Sequence, residues 1–179
     1  MDKKKLIRKN FLLKRKRKFH EIKLSFFKPL TKFIQKNFKR KNIKIALYYP
    51  IQHELNILKI FKIDFFKDCR FSLPKIEQNN YMNFYKWKKK DILNINKYGI
   101  VEPIESIKSV PNIILVPLLA FDKTKYRLGY GKGYYDKYLN KYLKIYKNII
   151  SIGVAFSFQK YHKLPINKKD VRLDYIITE

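Results

Sequence analysis

The chain has 179 residues, about the length of one domain, and 46% of them are hydrophobic, which supplies enough apolar surface to offset ordering entropy and excludes a disordered chain. No apolar run approaches the ~20 residues of a membrane helix, the basic start lacks the apolar core of a secretory signal, and the single Cys69 excludes a disulfide framework or a multi-cysteine zinc site, so a soluble protein of the reduced cytoplasm is expected. Lys and Arg number 42 against 14 Asp and Glu, a net charge of +28, which points to an anionic ligand or surface.

Residues 3–18 read as a helix, with Leu6, Ile7, Phe11 and Leu12 near helical spacing and neither Gly nor Pro inside. Residues 30–39 read as a second helix, with Pro29 suited to its first turn. The run from Ile43 to Tyr49, ended by Pro50, reads as a buried strand. Residues 54–66 return to a helical pattern through Leu55, Leu58, Phe61 and Phe65. Strands are expected at Cys69–Leu73, stopped by Pro74, and at Met82–Trp87. Residues 88–111 hold charged and turn residues. Ile113–Val116, closed by Pro117, is the clearest buried strand. A helix over 134–146, a strand over 149–154 and a short strand at Tyr175–Thr178 complete the series. Strands alternating with helices predict one α/β domain: a mostly parallel sheet flanked by helices, three-layer α/β/α and Rossmann-like. Ligands in such folds sit at the carboxyl ends of strands, so the segment after Val116 is the place to look for chemistry.

That segment carries three of the chain's five glycines. Arg127-Leu128-Gly129-Tyr130-Gly131-Lys132-Gly133-Tyr134-Tyr135-Asp136 leads directly into the predicted helix. Alternate glycines let backbone N–H groups approach an anion, and the helix N-terminus adds its dipole. Arg127 and Lys132 supply full positive charges, and Asp136 is a candidate ligand for a divalent ion bridging phosphates. It is not a Walker loop, because Gly133 follows Lys132 where Ser or Thr would be required. A glycine-rich turn with solvated cations is the plain alternative for these residues taken alone.

The longer string is more specific. Pro117-Leu118-Leu119-Ala120-Phe121-Asp122, four residues, then Arg127 through Asp136 is similar to the signature of the 5-formyltetrahydrofolate cyclo-ligase family, also called methenyltetrahydrofolate synthetases. Lys4 and Arg8, Tyr48-Tyr49-Pro50 with Gln52-His53-Glu54, Leu73-Pro74, Met82 to Trp87, Tyr98 to Pro103, Leu164-Pro165, Asp170, and Asp174 through Glu179 resemble further family segments in the same order. The resemblance implies conversion of 5-formyltetrahydrofolate to 5,10-methenyltetrahydrofolate, with ATP split to ADP and phosphate. It implies ATP binding by Lys4, Arg8 and the stretch Arg127, Leu128, Gly129, Tyr130, Gly131, Lys132, Gly133, Tyr134 and Tyr135. Lys132 and Arg127 would be the catalytic cations, and Asp136 and Asp170 the Mg²⁺ ligands. Glu54 would accept hydrogen bonds from the pterin, with Tyr49, Trp87, Tyr130 and Tyr134 as flat walls for the folate.

Four departures stand out: Leu118 and Lys125 where the family has Gly, Asn56-Ile57 in place of Asp-Thr, and Lys169 in place of His. They keep open a member that retains the fold without the activity. A third reading, a basic nucleic-acid-binding protein, rests on residues 1–45, which carry 18 cations and two acids. Against it, 35 of the 42 cations are Lys, whereas readers of phosphates and bases favour the planar fork of Arg. Together with 24 Ile and only 3 Ala, this points to compositional drift of the kind an AT-rich genome produces. Lys14-Arg15-Lys16-Arg17-Lys18 accordingly reads as solvated surface charge. A monomer without a membrane or nucleic-acid partner is expected.

Overall fold

A computed structural model describes residues 2–38, 42–78, 80–96, 99–104 and 107–179. Tyr98, part of the family resemblance, and Lys39, the last residue of the second expected helix, lie outside the described residues. Helix α1 covers Lys3–Lys18 and α2 covers Lys28–Asn37, with Pro29 in its first turn. Strand β1 is Lys44–Ala46, β2 is Arg70–Ile76 and β3 is Met82–Lys86. A small hairpin pairs β4 (Leu93–Ile95) with β5 (Val101–Pro103). After β6 (Ile113–Val116), a second hairpin pairs β7 (Ala120–Phe121) with β8 (Arg127–Leu128). Helix α3 (Tyr134–Ile145), β9 (Ile150–Val154) and β10 (Tyr175–Ile177) follow.

The main sheet has the order β10-β9-β6-β1-β2-β3. All neighbours run parallel except β3, which is antiparallel on its edge. Alternation along the central strands divides the core. Ile45, Ile113 and Leu115 face one layer with Leu30 and Ile34 of α2, while Ala46, Ile114 and Val116 face Tyr138 and Leu139 of α3. This is the expected three-layer arrangement. Helix α1 instead covers the end of the sheet, where Ile7 and Phe11 pack on Leu119, Ala120 and Leu128 around the second hairpin.

The helix expected over 54–66 is replaced by two 3₁₀ turns, Ile57–Lys62 and Asp64–Phe66. Ile57, Ile60 and Phe66 are buried and Ile63 is partly so; within the first turn Ile57 and Ile60 lie three apart, the 3₁₀ period in which i and i+3 eclipse. Pro74 does not stop β2. The Ser72 carbonyl accepts from Leu47 on the β1 side and the Phe71 carbonyl from Trp87 on the β3 side. That alternation directs the Pro74 nitrogen to the β1 side, past the end of β1, where no partner needs an N–H.

Of the two positions where the family has glycine, only one is conformationally demanding. Lys125, in the turn between β7 and β8, has φ 68°, whereas Leu118 is not among the positive-φ residues. The ammonium of Lys125 donates to the Asp174 carbonyl at 2.9 Å and lies 5.8 Å from the centre of the Tyr175 ring. We expect Lys125→Gly to stabilise the fold by about 1 kcal/mol, measured by urea denaturation, because glycine removes the left-handed Cβ penalty. A loss of stability would show that this turn tolerates its side chain without strain.

Candidate functional site

The strand order reverses at the centre of the sheet: β1 leads to β2 on one side, and β6 leads to β9 on the other. Loops leaving the carboxyl ends of β1 and β6 therefore diverge and open a crevice between them. A cleft of about 880 Å³ occupies this position. It takes Tyr48, Tyr49 and Glu54 from the loop after β1, Pro117 after β6, Arg127 and Leu128 from β8, the glycine loop, and the start of α3. Helix α1 contributes Lys4 and Arg8, and the segment before β10 contributes Asp170. Among the expected site residues, the structure gathers all but Trp87 into this cleft. Trp87 is 4% exposed in the core, edge-on to Phe61, and its indole N–H has no partner among the described residues. It is a packing residue beneath the site and does not form a wall for a ligand ring.

The glycine loop uses its residues for distinct reasons. Gly133 precedes α3 with φ 69°, and Gly131 has φ 108°. A Cβ on Gly131 would also stand 3.3 Å from the Arg8 guanidinium carbon. Arg8 in turn donates through Nε to the Gly129 carbonyl at 2.9 Å, so α1 holds the loop open from behind. The N-cap of α3 is Gly133, which has no side chain with which to cap the helix.

Both candidate metal carboxylates sit beside cations. Arg127, whose side chain is 4% exposed, donates to Asp136 Oδ1 at 2.9 Å, and the Val171 N–H donates to the same oxygen at 3.0 Å. Lys4 pairs with Asp170, whose Oδ2 also accepts from the Asn167 N–H at 2.7 Å. Among the described residues no group of three or more acids, histidines or cysteines could form a metal cage.

Glu54 is 6% exposed. Burial pushes its carboxyl up from the ordinary range, while the Ile51 N–H, the Tyr130 hydroxyl and the Arg15 charge pull it back. Burial, aided by the nearby Glu54 charge, also raises the phenols of Tyr48, Tyr130 and Tyr135. The buried Tyr135 hydroxyl has no hydrogen-bond partner among the described residues.

The reading of Arg15 as surface charge is corrected: it is 1% exposed, with all three of its recorded hydrogen bonds directed inward. Its signal was present in the sequence, since residues 4, 8, 11 and 15 fall on one helix face. Glu102, also 6% exposed, was read only as part of a family segment. It lines the cleft and accepts from Asn96 Nδ2 at 2.9 Å.

The fold and cleft define a three-layer α/β protein with a glycine loop lining a cleft at the switch point of its sheet. The family model for 5-formyltetrahydrofolate cyclo-ligases matches residues 1–179, and the chain belongs to that family. It is 33% identical over 137 residues to a 5-formyltetrahydrofolate cyclo-ligase of Mycoplasma pneumoniae, covering 75% of this chain and 72% of the relative. A Haemophilus influenzae cyclo-ligase is 29% identical over 146 residues, covering 78% and 77%. The structure of a 5,10-methenyltetrahydrofolate synthetase from Mycoplasma pneumoniae superimposes with a TM-score of 0.73 at 29% identity, over 99% of this chain and 98% of the other. That of the Aquifex aeolicus synthetase gives 0.69 at 32% identity, over 98% and 89%.

Replacing Asp136 by Asn keeps an oxygen for the Val171 N–H but leaves Arg127 buried without its counter-charge. We expect a loss of about 3 kcal/mol in chemical denaturation. A loss below about 0.5 kcal/mol would mean that Arg127 finds another anion.

Proposed function

We propose that the chain closes 5-formyltetrahydrofolate to 5,10-methenyltetrahydrofolate at the expense of ATP, releasing ADP and phosphate. The observation that carries this reading is the junction of a left-handed glycine loop and a buried carboxylate, Glu54, in one cleft of a chain matched end to end by the cyclo-ligase family.

The N5-formyl group is an amide and a poor electrophile. Phosphorylation of its oxygen makes the carbon open to attack by N10; ring closure then expels phosphate. The protein's part is positioning and charge neutralisation, since phosphoryl transfer asks for little covalent help. The N–H groups around Gly131 and Gly133 and the open end of α3 receive phosphate oxygens. Lys4, Arg8, Arg127 and Lys132 offset the negative charge that gathers during transfer. Glu54 accepts from the aminopyrimidine edge of the pterin, while Tyr49, Tyr130 and Tyr134 flank the ring system.

Mg²⁺ with a polyphosphate needs only one or two protein carboxylates, the remaining ligands being water and phosphate. Asp136 and Asp170 fit that donor set, because each leaves one oxygen without a hydrogen-bond partner among the described residues. When bound, the ion would supply charge compensation between phosphates.

Among the described residues no helix is long and apolar enough to cross a membrane, and the unpaired Cys69 suits a reducing cytoplasm. Mixing the protein with 5-formyltetrahydrofolate and Mg-ATP should yield the methenyl chromophore and ADP in equal amounts. A folded protein that forms neither would overturn this reading. Lys132→Ala should lower kcat by about 100-fold or more while moving Tm by no more than about 2 °C, since an exposed loop cation adds little to the core. Parallel losses of activity and stability would make the loop structural only.

A further inference from the structure

Arg15 is buried, yet no carboxylate lies within ion-pair distance of it among the described residues. Its three recorded partners are all neutral oxygens. Nε donates to the Gln52 carbonyl at 3.1 Å, one terminal nitrogen to the Leu118 carbonyl at 3.5 Å, and the other to the Tyr130 hydroxyl at 2.5 Å. The guanidinium also lies 5.6 Å from the centre of the Tyr130 ring. A charge held out of water in this way needs an anion near enough to feel it. That anion is Glu54, one hydroxyl further on: the Tyr130 hydroxyl donates to Glu54 Oε1 at 2.7 Å.

The direction of this chain is forced. A guanidinium has no acceptor, so the Tyr130 oxygen can only receive from Arg15. Its single proton must then point to the carboxylate. Polarisation by the cation makes the hydroxyl a stronger donor than it would be alone. The other oxygen of Glu54 accepts from the Ile51 N–H at 3.0 Å. The carboxylate is thereby held at both ends, with its remaining lone pairs available to the cleft.

We infer that Arg15 is a positioning residue, which acts through the Tyr130 hydroxyl to orient the Glu54 carboxylate toward the folate. The inference rests on the folate role given to Glu54 above. The groups facing Glu54 are Arg15 from α1, Tyr130 from the glycine loop, Tyr48 after β1 and Tyr135 at the head of α3. Burial raises the phenols of Tyr48, Tyr130 and Tyr135, which moves them further from the acid side of neutrality. An acid limb set by this cluster therefore belongs to Glu54. Loss of the relay favours the protonated acid, so the limb moves to higher pH.

Tyr130→Phe keeps the ring and removes the bridge. Arg15→Lys keeps the charge and cannot span three acceptors. Each should raise KM for 5-formyltetrahydrofolate about tenfold or more while KM for ATP stays within about twofold. Placed in a Glu54→Gln background, Arg15→Lys should have no further effect on the folate KM, because its target is already gone. A side-chain ¹³C titration of labelled glutamate should show the Glu54 signal moving to higher pH in both single variants. This readout needs no turnover. If the wild type makes no product, the enzymatic reading falls, and the titration still decides whether Arg15 governs Glu54. A Glu54 titration unchanged in folded Tyr130→Phe overturns the inference, as does an equal rise of both KM values.

Discussion

The site depends on one demand of electrostatics: a guanidinium taken out of water must be met by oxygen atoms. Arg15 obtains them from three different segments, at Gln52 after β1, Leu118 after β6 and Tyr130 in the glycine loop. These segments emerge where the strand order reverses, so they would otherwise diverge. The Leu118 carbonyl is also shared with a second donor. Gln159 Nε2 donates to the Leu118 and Leu119 carbonyls at 2.9 and 3.0 Å, which extends the network toward the segment after β9. Helix α1 thus serves as a clamp across the end of the sheet. Its apolar residues Ile7 and Phe11 anchor it, and its inward cations fix the loops.

The same helix resolves part of the problem posed by a net charge of +28. Among the described residues, seven lysines and arginines line the cleft beside four carboxylates, and Arg15 lies behind its wall. That surplus suits a polyanion and accounts for only a small share of the 42 cations. The cations in the cleft are also organised differently from surface lysines. Arg8 is bonded to a loop carbonyl, Lys4 and Arg127 to carboxylates. An arriving phosphate therefore meets charges already oriented, and little side-chain freedom is left to lose on binding.

The strands of the sheet were legible because runs such as Ile113–Val116 are apolar at every position, as burial on both faces requires. The second hairpin was not, because β7 and β8 have two residues each and too little length for any period to register. The turns over 57–66 differ from the expected helix because Leu55, Leu58, Phe61 and Phe65 fit a helical spacing while Ile57, Ile60, Ile63 and Phe66 fit a spacing of three; members of both sets reach the core, so apolar spacing alone does not choose between them. Most of the candidate site followed from its motif. Trp87 did not belong with it, since proximity in a family segment says nothing about which face of β3 a neighbouring ring falls on. Arg15 was hidden by its setting. It lies in a block of five consecutive cations, and charge alone cannot tell the one that turns inward; the apolar face of α1 can.

The loop carrying Glu54 shows what such a clamp must overcome. Gln52 and His53 have φ values of 47° and 62°, two consecutive non-glycine residues in the left-handed region. Each costs on the order of 1–2 kcal/mol relative to ordinary backbone. The turn persists because its ends are fastened. The Glu54 N–H donates to the Ile51 carbonyl at 2.9 Å, Glu54 Oε2 accepts from the Ile51 N–H, and Arg15 holds the Gln52 carbonyl from outside. His53 further sets its ring 5.5 Å from Phe19, edge to face. A relaxed turn over these residues would release Glu54 toward solvent, where a carboxylate is better hydrated. The strain in the backbone and the burial of the acid are therefore two sides of one arrangement, and the hydrogen bonds that close the turn are also those that hold the carboxylate at the cleft.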